Sequence, residues 1–194
     1  MTTVLSDRFV PLEDYFSLDS ETAPERWEWR NGDVYCMTGA QPEHNIICLN
    51  VGAELRARLR GSSCRTFTSD QRVKVLAGSP YLYPDVSVAC DPRYTPINGL
   101  RTLLNPVLIV EILSSSTAQD DKSTKFMQYQ TIESLTDYLL VDSNEVAALH
   151  YRKEGQVWIP RLFEQTSDEV ELSALDIAIP LAEIYLDSGL LAGS

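Results

Sequence analysis

Val107-Leu108-Ile109-Val110-Glu111-Ile112-Leu113, together with Tyr83-Pro84-Asp85-Val86-Ser87-Val88, decides how this chain reads. Both stretches are apolar and β-branched almost without break, which is the pattern of buried strands. Each nevertheless carries one carboxylate, and a charge in an apolar strand is costly unless it is paired or bound to a cation. Lys125 and Tyr129 follow soon after the second stretch. Two acids on stiff supports with a lysine close behind point to a divalent-metal site for phosphodiester chemistry.

Working outward from these strands, residues 7–20 read as a short helical lead-in, with Pro11 in the first turn and acidic residues after it. Trp27-Glu28-Trp29-Arg30 alternates, and Asn31-Gly32 turns it into Asp33–Met37 as a hairpin. Pro42 opens a helix to about Arg60, with Ile46, Leu49, Ala53, Leu55 and Leu59 as its apolar stripe and Gly61 at its end. Strands follow at Cys64–Thr68, Arg72–Val75 and Asp85–Ala89, then a loop over 91–105 rich in Pro, Asn, Gly and Arg. The strand 107–113 leads to a helix from about Asp120 to Ile132 and a strand Asp137–Asp142. Ala147–Arg152 and Val157–Phe163 form a hairpin around Glu154-Gly155, and a last strand (Ile177–Ile179) precedes a helical turn at Pro180–Tyr185.

This order gives an α/β (α+β) fold with a mixed central sheet flanked by helices, neither doubly wound nor a barrel. A single domain over 1–194 is expected, with its core at about 25–142 and an antiparallel β extension over 143–194. No Gly-rich strand-to-helix turn offers a Rossmann or P-loop nucleotide cradle.

With 44% hydrophobic and 23% charged residues, the composition is ordinary for a globular protein. No apolar run approaches the ~20 residues that span a bilayer. The first residues lack the basic start and apolar stretch of a signal peptide, so a cytoplasmic protein with no membrane partner is expected. Cys36, Cys48, Cys64 and Cys90 contain no Cys-x-x-Cys pair, which supports neither a zinc site nor a redox motif. Small buried thiols in a reducing compartment are the expectation.

A formal net charge of −12 argues against a general nucleic-acid coat. The charge is uneven, however. Arg56, Arg58, Arg60, Arg65, Arg72 and Lys74 crowd between Leu55 and Pro84 against Asp70 alone, while no Lys or Arg follows Arg161. That basic band either meets phosphates or is a solvated face opposing an acidic surface.

Magnesium takes oxygen ligands and keeps several waters, so one or two carboxylates suffice for it. Neighbouring strands lie about 4.8 Å apart, so Asp85 and Glu111 on adjacent strands could share an ion, with the Ile112 carbonyl as a further ligand. Asp121, Lys125 and Tyr129, at i, i+4 and i+8, share one helical face. That face aims Lys125 at the pocket, where an ammonium orients water or stabilises the charged transition state.

Lesser candidates keep two readings each. Glu28 is a third carboxylate or the exposed position of an alternating strand. His44 contacts phosphate, positions water or is simply a polar helix start. Asp70 makes a turn before Arg72 or bonds within the pocket. Arg72 and Lys74 share a face that contacts nucleic-acid phosphates or forms a solvated edge. His150 is structural, and the serines at 114–116 form a loop rather than a nucleophile elbow.

The arrangement resembles the PD-(D/E)xK nuclease superfamily in Pro84-Asp85 and Glu111-Ile112-Leu113. Leu113 departs from the pattern, which places the lysine there; in several branches that lysine has moved to the following helix, and here Lys125 supplies it. From about Glu25 to Asp142 the chain also looks like the Uma-type family of restriction-endonuclease-like proteins. The shared features are Trp27-Glu28 before Asn31-Gly32-Asp33, Pro42-Glu43-His44-Asn45, Ser69-Asp70 before Arg72-Val73-Lys74, Tyr83-Pro84-Asp85 and Val110-Glu111-Ile112-Leu113-Ser114. Family members usually have Pro where Ser115 stands. The resemblance implies a restriction-endonuclease-like fold and a Mg²⁺- or Mn²⁺-dependent endonuclease, with DNA as partner and a homodimer as assembly. In it Asp85 and Glu111 bind metal, Lys125 acts on water or transition state, and Asp121 and Tyr129 hold the lysine. The alternatives are an inactive nuclease-fold binding or assembly module and a hydrolase of a small phosphodiester.

Overall fold

The computed structural model describes residues 3–4, 9–30, 32–37, 39–76, 81–114 and 121–191, with backbone alone at 3–4 and 121. Asn31 of the hairpin turn, Ser115, Ser116 and the helix start at Asp120 lie outside the described residues, as does the Asp121 side chain.

In chain order the elements begin with β1 (Thr3–Val4), α1 (Leu12–Leu18), β2 (Trp27–Arg30), β3 (Asp33–Cys36) and the long helix α2 (Pro42–Arg58). Next come β4 (Cys64–Thr68), β5 (Val73–Lys74), β6 (Tyr81–Leu82), β7 (Val86–Cys90), β8 (Tyr94–Ile97), β9 (Leu100–Leu103) and β10 (Leu108–Leu113). A π-helical turn (Asp121–Lys125) runs into a short α-helix (Phe126–Tyr129). After it stand β11 (Asp137–Asp142), β12 (Ala148–Glu154), β13 (Val157–Phe163), β14 (Glu169–Leu172), β15 (Ile177–Pro180) and a closing helical turn (Leu181–Ile184).

A six-stranded sheet ordered β13-β12-β11-β10-β7-β4 forms the centre. It is mixed, because β10 and β11 run parallel from Leu108↔Asp137 to Leu113↔Asp142 while β10 and β7 run antiparallel. All six residues of β10 are buried, as an apolar run broken only by Glu111 demands. Alternation sends Val110 and Ile112 to one face, against Ile47, Val51 and Leu55 of α2. It sends Ile109 and Leu113 to the other, against Phe126, Tyr129 and Ile132. Glu111 belongs to this second face. The hairpin β12/β13 extends the central sheet, and a seven-stranded sheet β1-β3-β2-β6-β5-β9-β8 carries the N-terminal hairpin.

Several expectations are corrected. The predicted loop at 91–105 contains the hairpin β8/β9, turned at Asn98-Gly99. Both turn residues have positive φ, 51° and 80°, the backbone that a tight two-residue hairpin needs and that Asn-Gly supplies. Strand β14, pairing with β15, was not expected either. In α2 the buried stripe is Ile47, Val51, Leu55 and Leu59, whereas Leu49 is 71% exposed. Apolar and polar residues are spread around this helix, so packing rather than periodicity chose the face. The predicted helix from Asp120 to Ile132 is described as a π-helical turn and one short α-helix.

Cys64 and Cys90 are not thiols. They sit directly opposite in the β4/β7 ladder and form a disulfide, while Cys36 and Cys48 are free. Register, not spacing, brings that pair together.

Candidate active site

Three elements converge on Glu111. Lys125, the last residue of the π-helical turn, places Nζ 3.2 Å from Glu111 Oε1. One turn further, Tyr129 donates its hydroxyl to the same oxygen at 3.0 Å. A π turn bonds i to i+5 and so admits an extra residue without ending the helix; such turns recur at functional sites. Here it sits directly before the α turn that aligns Lys125 and Tyr129 on one acceptor.

From the other side β2 delivers Glu28. Its side chain alternates inward with Arg30, while Trp29 packs with Tyr15, Val34 and Tyr81. Glu28 Oε1 accepts the Tyr83 N–H at 2.9 Å and lies 3.7 Å from Lys125 Nζ. Glu28 Oε2 is bound by Arg30 Nη2. Glu28 is therefore a third carboxylate of the cluster, not a solvent-facing strand position. Lys125 bridges it to Glu111, with all three residues buried.

Asp85 stands where β7 begins. The β7/β10 register closes at Val86↔Val110, and the Asp85 carboxylate then takes the Ile112 N–H at 2.8 Å. Asp85 is thus locked beside the residue that follows Glu111. His44 Nε2 lies 3.4 Å from Asp85 Oδ2, and Cys48, one turn along α2, donates Sγ–H to the Asp85 carbonyl at 3.7 Å. His44 and Asp85 keep side-chain exposures of 15% and 16%, so they form the open end of an otherwise buried cluster.

The electrostatics follow from burial and from the two cations. Burial alone would raise the Glu28 carboxyl, but Lys125, Arg30 and the Tyr83 N–H outweigh it and hold the group below the usual carboxylate range. The Tyr129 phenol is driven far up by burial and by Glu111 and Glu28, so it remains a donor at any physiological pH. Burial, Asp85 and Glu111 together push the Cys48 thiol up to about 12.

The structure thus assembles Asp85, Glu111, Lys125, Tyr129, Glu28 and His44, with Ile112 contributing its N–H. Other expected residues lie apart. Asp70 is exposed in the turn between β4 and β5, as a turn residue should be. Lys74 is half-buried on β5 opposite Tyr81. Arg72 is not on a phosphate-contacting face: it is 1% exposed and its Nη1 pairs with Asp19 Oδ2 at 2.6 Å. Nε donates to Thr102 Oγ1 and Nη2 to the Ile97 carbonyl, so the guanidinium is spent on the interior. His150 is structural as expected, buried with Nε2 2.8 Å from Asp137 Oδ1.

Arg30, Tyr83 and Cys48 were missed. Arg30 had a signal, because i, i+2 alternation puts it on Glu28's face. Tyr83 acts through its backbone, which no side-chain pattern announces.

Ligand chemistry can be tested on this donor set. Among the described residues no group of three His, Cys, Asp or Glu side chains could hold a metal ion. Asp85 and Glu111 nevertheless suit a hydrated hard cation, which needs few protein ligands. Asp85 Oδ2 accepts the Ile112 N–H and faces His44 Nε2 at the partly exposed end of the cluster.

A mixed sheet presenting acids on paired strands and receiving a lysine from the next helix has a nuclease-like architecture. The chain belongs to the family described as "Uma2: Putative restriction endonuclease", which it matches over residues 12–182. Two similar chains come from Synechocystis sp. (strain ATCC 27184 / PCC 6803 / Kazusa). The uncharacterized protein slr1290 is 32% identical over 174 residues, covering 89% of this chain and 90% of its own. The uncharacterized protein sll1609 is 32% identical over 179 residues, covering 91% and 100%. In fold the chain is similar to the crystal structure of a putative nuclease belonging to DUF820 from Anabaena variabilis ATCC 29413, with TM-score 0.74 and 18% identity, covering 94% of this chain and 99% of that one. No helix among the described residues is long and apolar enough to cross a membrane.

Proposed function

We propose that the protein is a Mg²⁺- or Mn²⁺-dependent endonuclease hydrolysing phosphodiester bonds of DNA at the cluster of Asp85, Glu111 and Lys125. The observation that carries the reading is Lys125 Nζ, 3.2 Å from Glu111 Oε1 and 3.7 Å from Glu28 Oε1, beside an Asp85 bonded to Ile112 N. Asp85, Glu111 and the Ile112 carbonyl would hold the ion. When bound, a divalent ion neutralises charge on phosphoryl oxygens and makes water a better nucleophile.

The protein's own groups do the rest. Glu28 and Glu111 hold the Lys125 ammonium in place, so it meets the developing negative charge without reorganising. Tyr129 fixes the Glu111 carboxylate from behind. Partial exposure at Asp85 and His44 provides the side from which a phosphate approaches.

Incubating the protein with plasmid and linear DNA plus Mn²⁺ tests this. Cleavage is expected, lost in Lys125→Ala and Glu111→Ala. Cleavage unchanged in both variants would come from a contaminant and would remove the proposal. A second reading, a nuclease-fold binding or assembly module without catalysis, is favoured by the −12 charge and by the displacement of the lysine from the Glu111 strand to Lys125. Homodimerisation fits an enzyme that cuts both strands; sedimentation equilibrium tests it.

A further inference from the structure

We infer that His44 is a nitrogen ligand of the ion bound at Asp85, so that the site prefers Mn²⁺ or Co²⁺ to Mg²⁺. This rests on the proposed metal dependence and adds the identity of a donor and of the metals it selects. His44 Nε2 and Asp85 Oδ2 are 3.4 Å apart. Ligands at about 2.1 Å from a common ion are separated by roughly 3.0–3.4 Å, from octahedral to tetrahedral arrangement. The observed separation lies at the long end of that range, so a shift of a few tenths of an ångström lets both groups share an ion.

His44 is aimed rather than loose. It lies on the same side of α2 as Ile47, Cys48 and Val51, one helical turn ahead of the first two and two turns ahead of Val51, and the burial of Ile47 and Val51 fixes which side of the helix meets the sheet. Cys48 ties that face to the Asp85 backbone through its Sγ–H donated to the Asp85 carbonyl. Both partners are therefore carried on supports joined one helical turn from the pair. The pair also sits at the partly exposed end of the cluster, where an ion can enter and keep its waters.

The chemistry favours a nitrogen-tolerant metal. Mg²⁺ prefers oxygen ligands, while imidazole suits later first-row ions, whose affinity for mixed N/O sites rises along the series from Mn²⁺. A site of oxygens alone would discriminate less strongly between these ions.

Pulsed EPR on the full chain loaded with Mn²⁺ reads the nitrogen directly. Wild type is expected to show nitrogen modulation that changes on ¹⁵N-histidine labelling and disappears in His44→Ala and in the milder His44→Gln, both of which still bind Mn²⁺ through Asp85. Calorimetry should show Mn²⁺ and Co²⁺ affinity falling about tenfold or more in both variants, the scale already seen for losing an outer-shell partner. Mg²⁺ affinity should change little. Mn²⁺ bound in wild type without nitrogen modulation, or with modulation that survives His44→Ala, overturns the inference and leaves the metal-dependent reading standing. Failure of wild type to bind Mn²⁺ at millimolar concentration overturns both.

Discussion

Replacing Lys125 by Met keeps length and volume but removes the cation between two buried carboxylates. Glu28 and Glu111 each have 3% side-chain exposure, so neither can recover hydration. Breaking a buried ion pair by deleting one partner costs about 3–5 kcal/mol. Here the remaining groups soften the loss: Glu28 keeps Arg30 and the Tyr83 N–H, and Glu111 keeps the Tyr129 hydroxyl. We therefore expect about 3 kcal/mol at pH 7.5, the low end of that range. For a domain of this size that is a drop of roughly 6–12 °C in Tm.

The pH dependence separates this from a packing defect. Glu28 has a folded-state pKa held below its ordinary 4.5. Its stabilisation is complete above about pH 4.5 and fades as pH falls through the depressed folded value. Without Lys125 the carboxyl loses its largest charge partner and takes up a proton at higher pH, so the variant sheds its penalty as the solution is acidified. Urea unfolding at pH 7.5 and 4.5 measures both effects. A variant within 0.5 kcal/mol of wild type at pH 7.5, a margin typical of surface substitutions, would refute the bridging role. So would a deficit that does not shrink at pH 4.5.

Arg72→Ala should destabilise by about 3–5 kcal/mol, since Asp19 would be left charged in the interior, yet leave the salt dependence of DNA binding unchanged. Lys74→Ala should do the reverse, with little effect on melting and a salt slope lower by about 1. Cys48, with its thiol pushed up to about 12, should resist iodoacetamide at pH 8 in the folded protein, by peptide mass mapping. Denatured, unreduced protein should then take up two labels, at Cys36 and Cys48, because Cys64 and Cys90 are bonded to each other.

What the sequence disclosed and what it withheld divide along a physical line. Signals carried by a single strand or helix were legible: the buried run 108–113, the alternation of β2, the start of α2 at Pro42 and the strand Asp137–Asp142. Asp85 and Glu111 could be grouped because each is a charge in an apolar strand, and Lys125 joined them through the helical face it shares with Tyr129 and through the family resemblance. Pairing information was not legible. The Cys64–Cys90 bond, the fate of Arg72 and the acceptor for Tyr83 N–H depend on register and on which layer covers which face. Arg72 shows the limit most plainly. Its neighbours gave it the look of a basic surface strand, and only α1, brought over by tertiary packing, supplies the buried Asp19 that claims it.

The charge balance of the cluster bears on how an acidic protein could meet DNA. Glu28, Glu111 and Asp85 face Lys125 and Arg30, which leaves the pocket with one net negative charge when His44 is neutral. Within a chain whose total is already −12, that pocket repels phosphate on its own. A divalent ion reverses the local sign, and inside a poorly hydrated cluster that reversal acts through a low effective dielectric. If the proposed site holds such an ion, the ion would govern association as well as cleavage. DNA binding by wild type should then require Mn²⁺ or Mg²⁺, and Asp85→Asn, which retires one negative charge while weakening the ion's hold, should bind DNA less tightly with metal present despite being less acidic. Tighter binding by Asp85→Asn under those conditions would mean that simple repulsion, not the ion, sets the affinity.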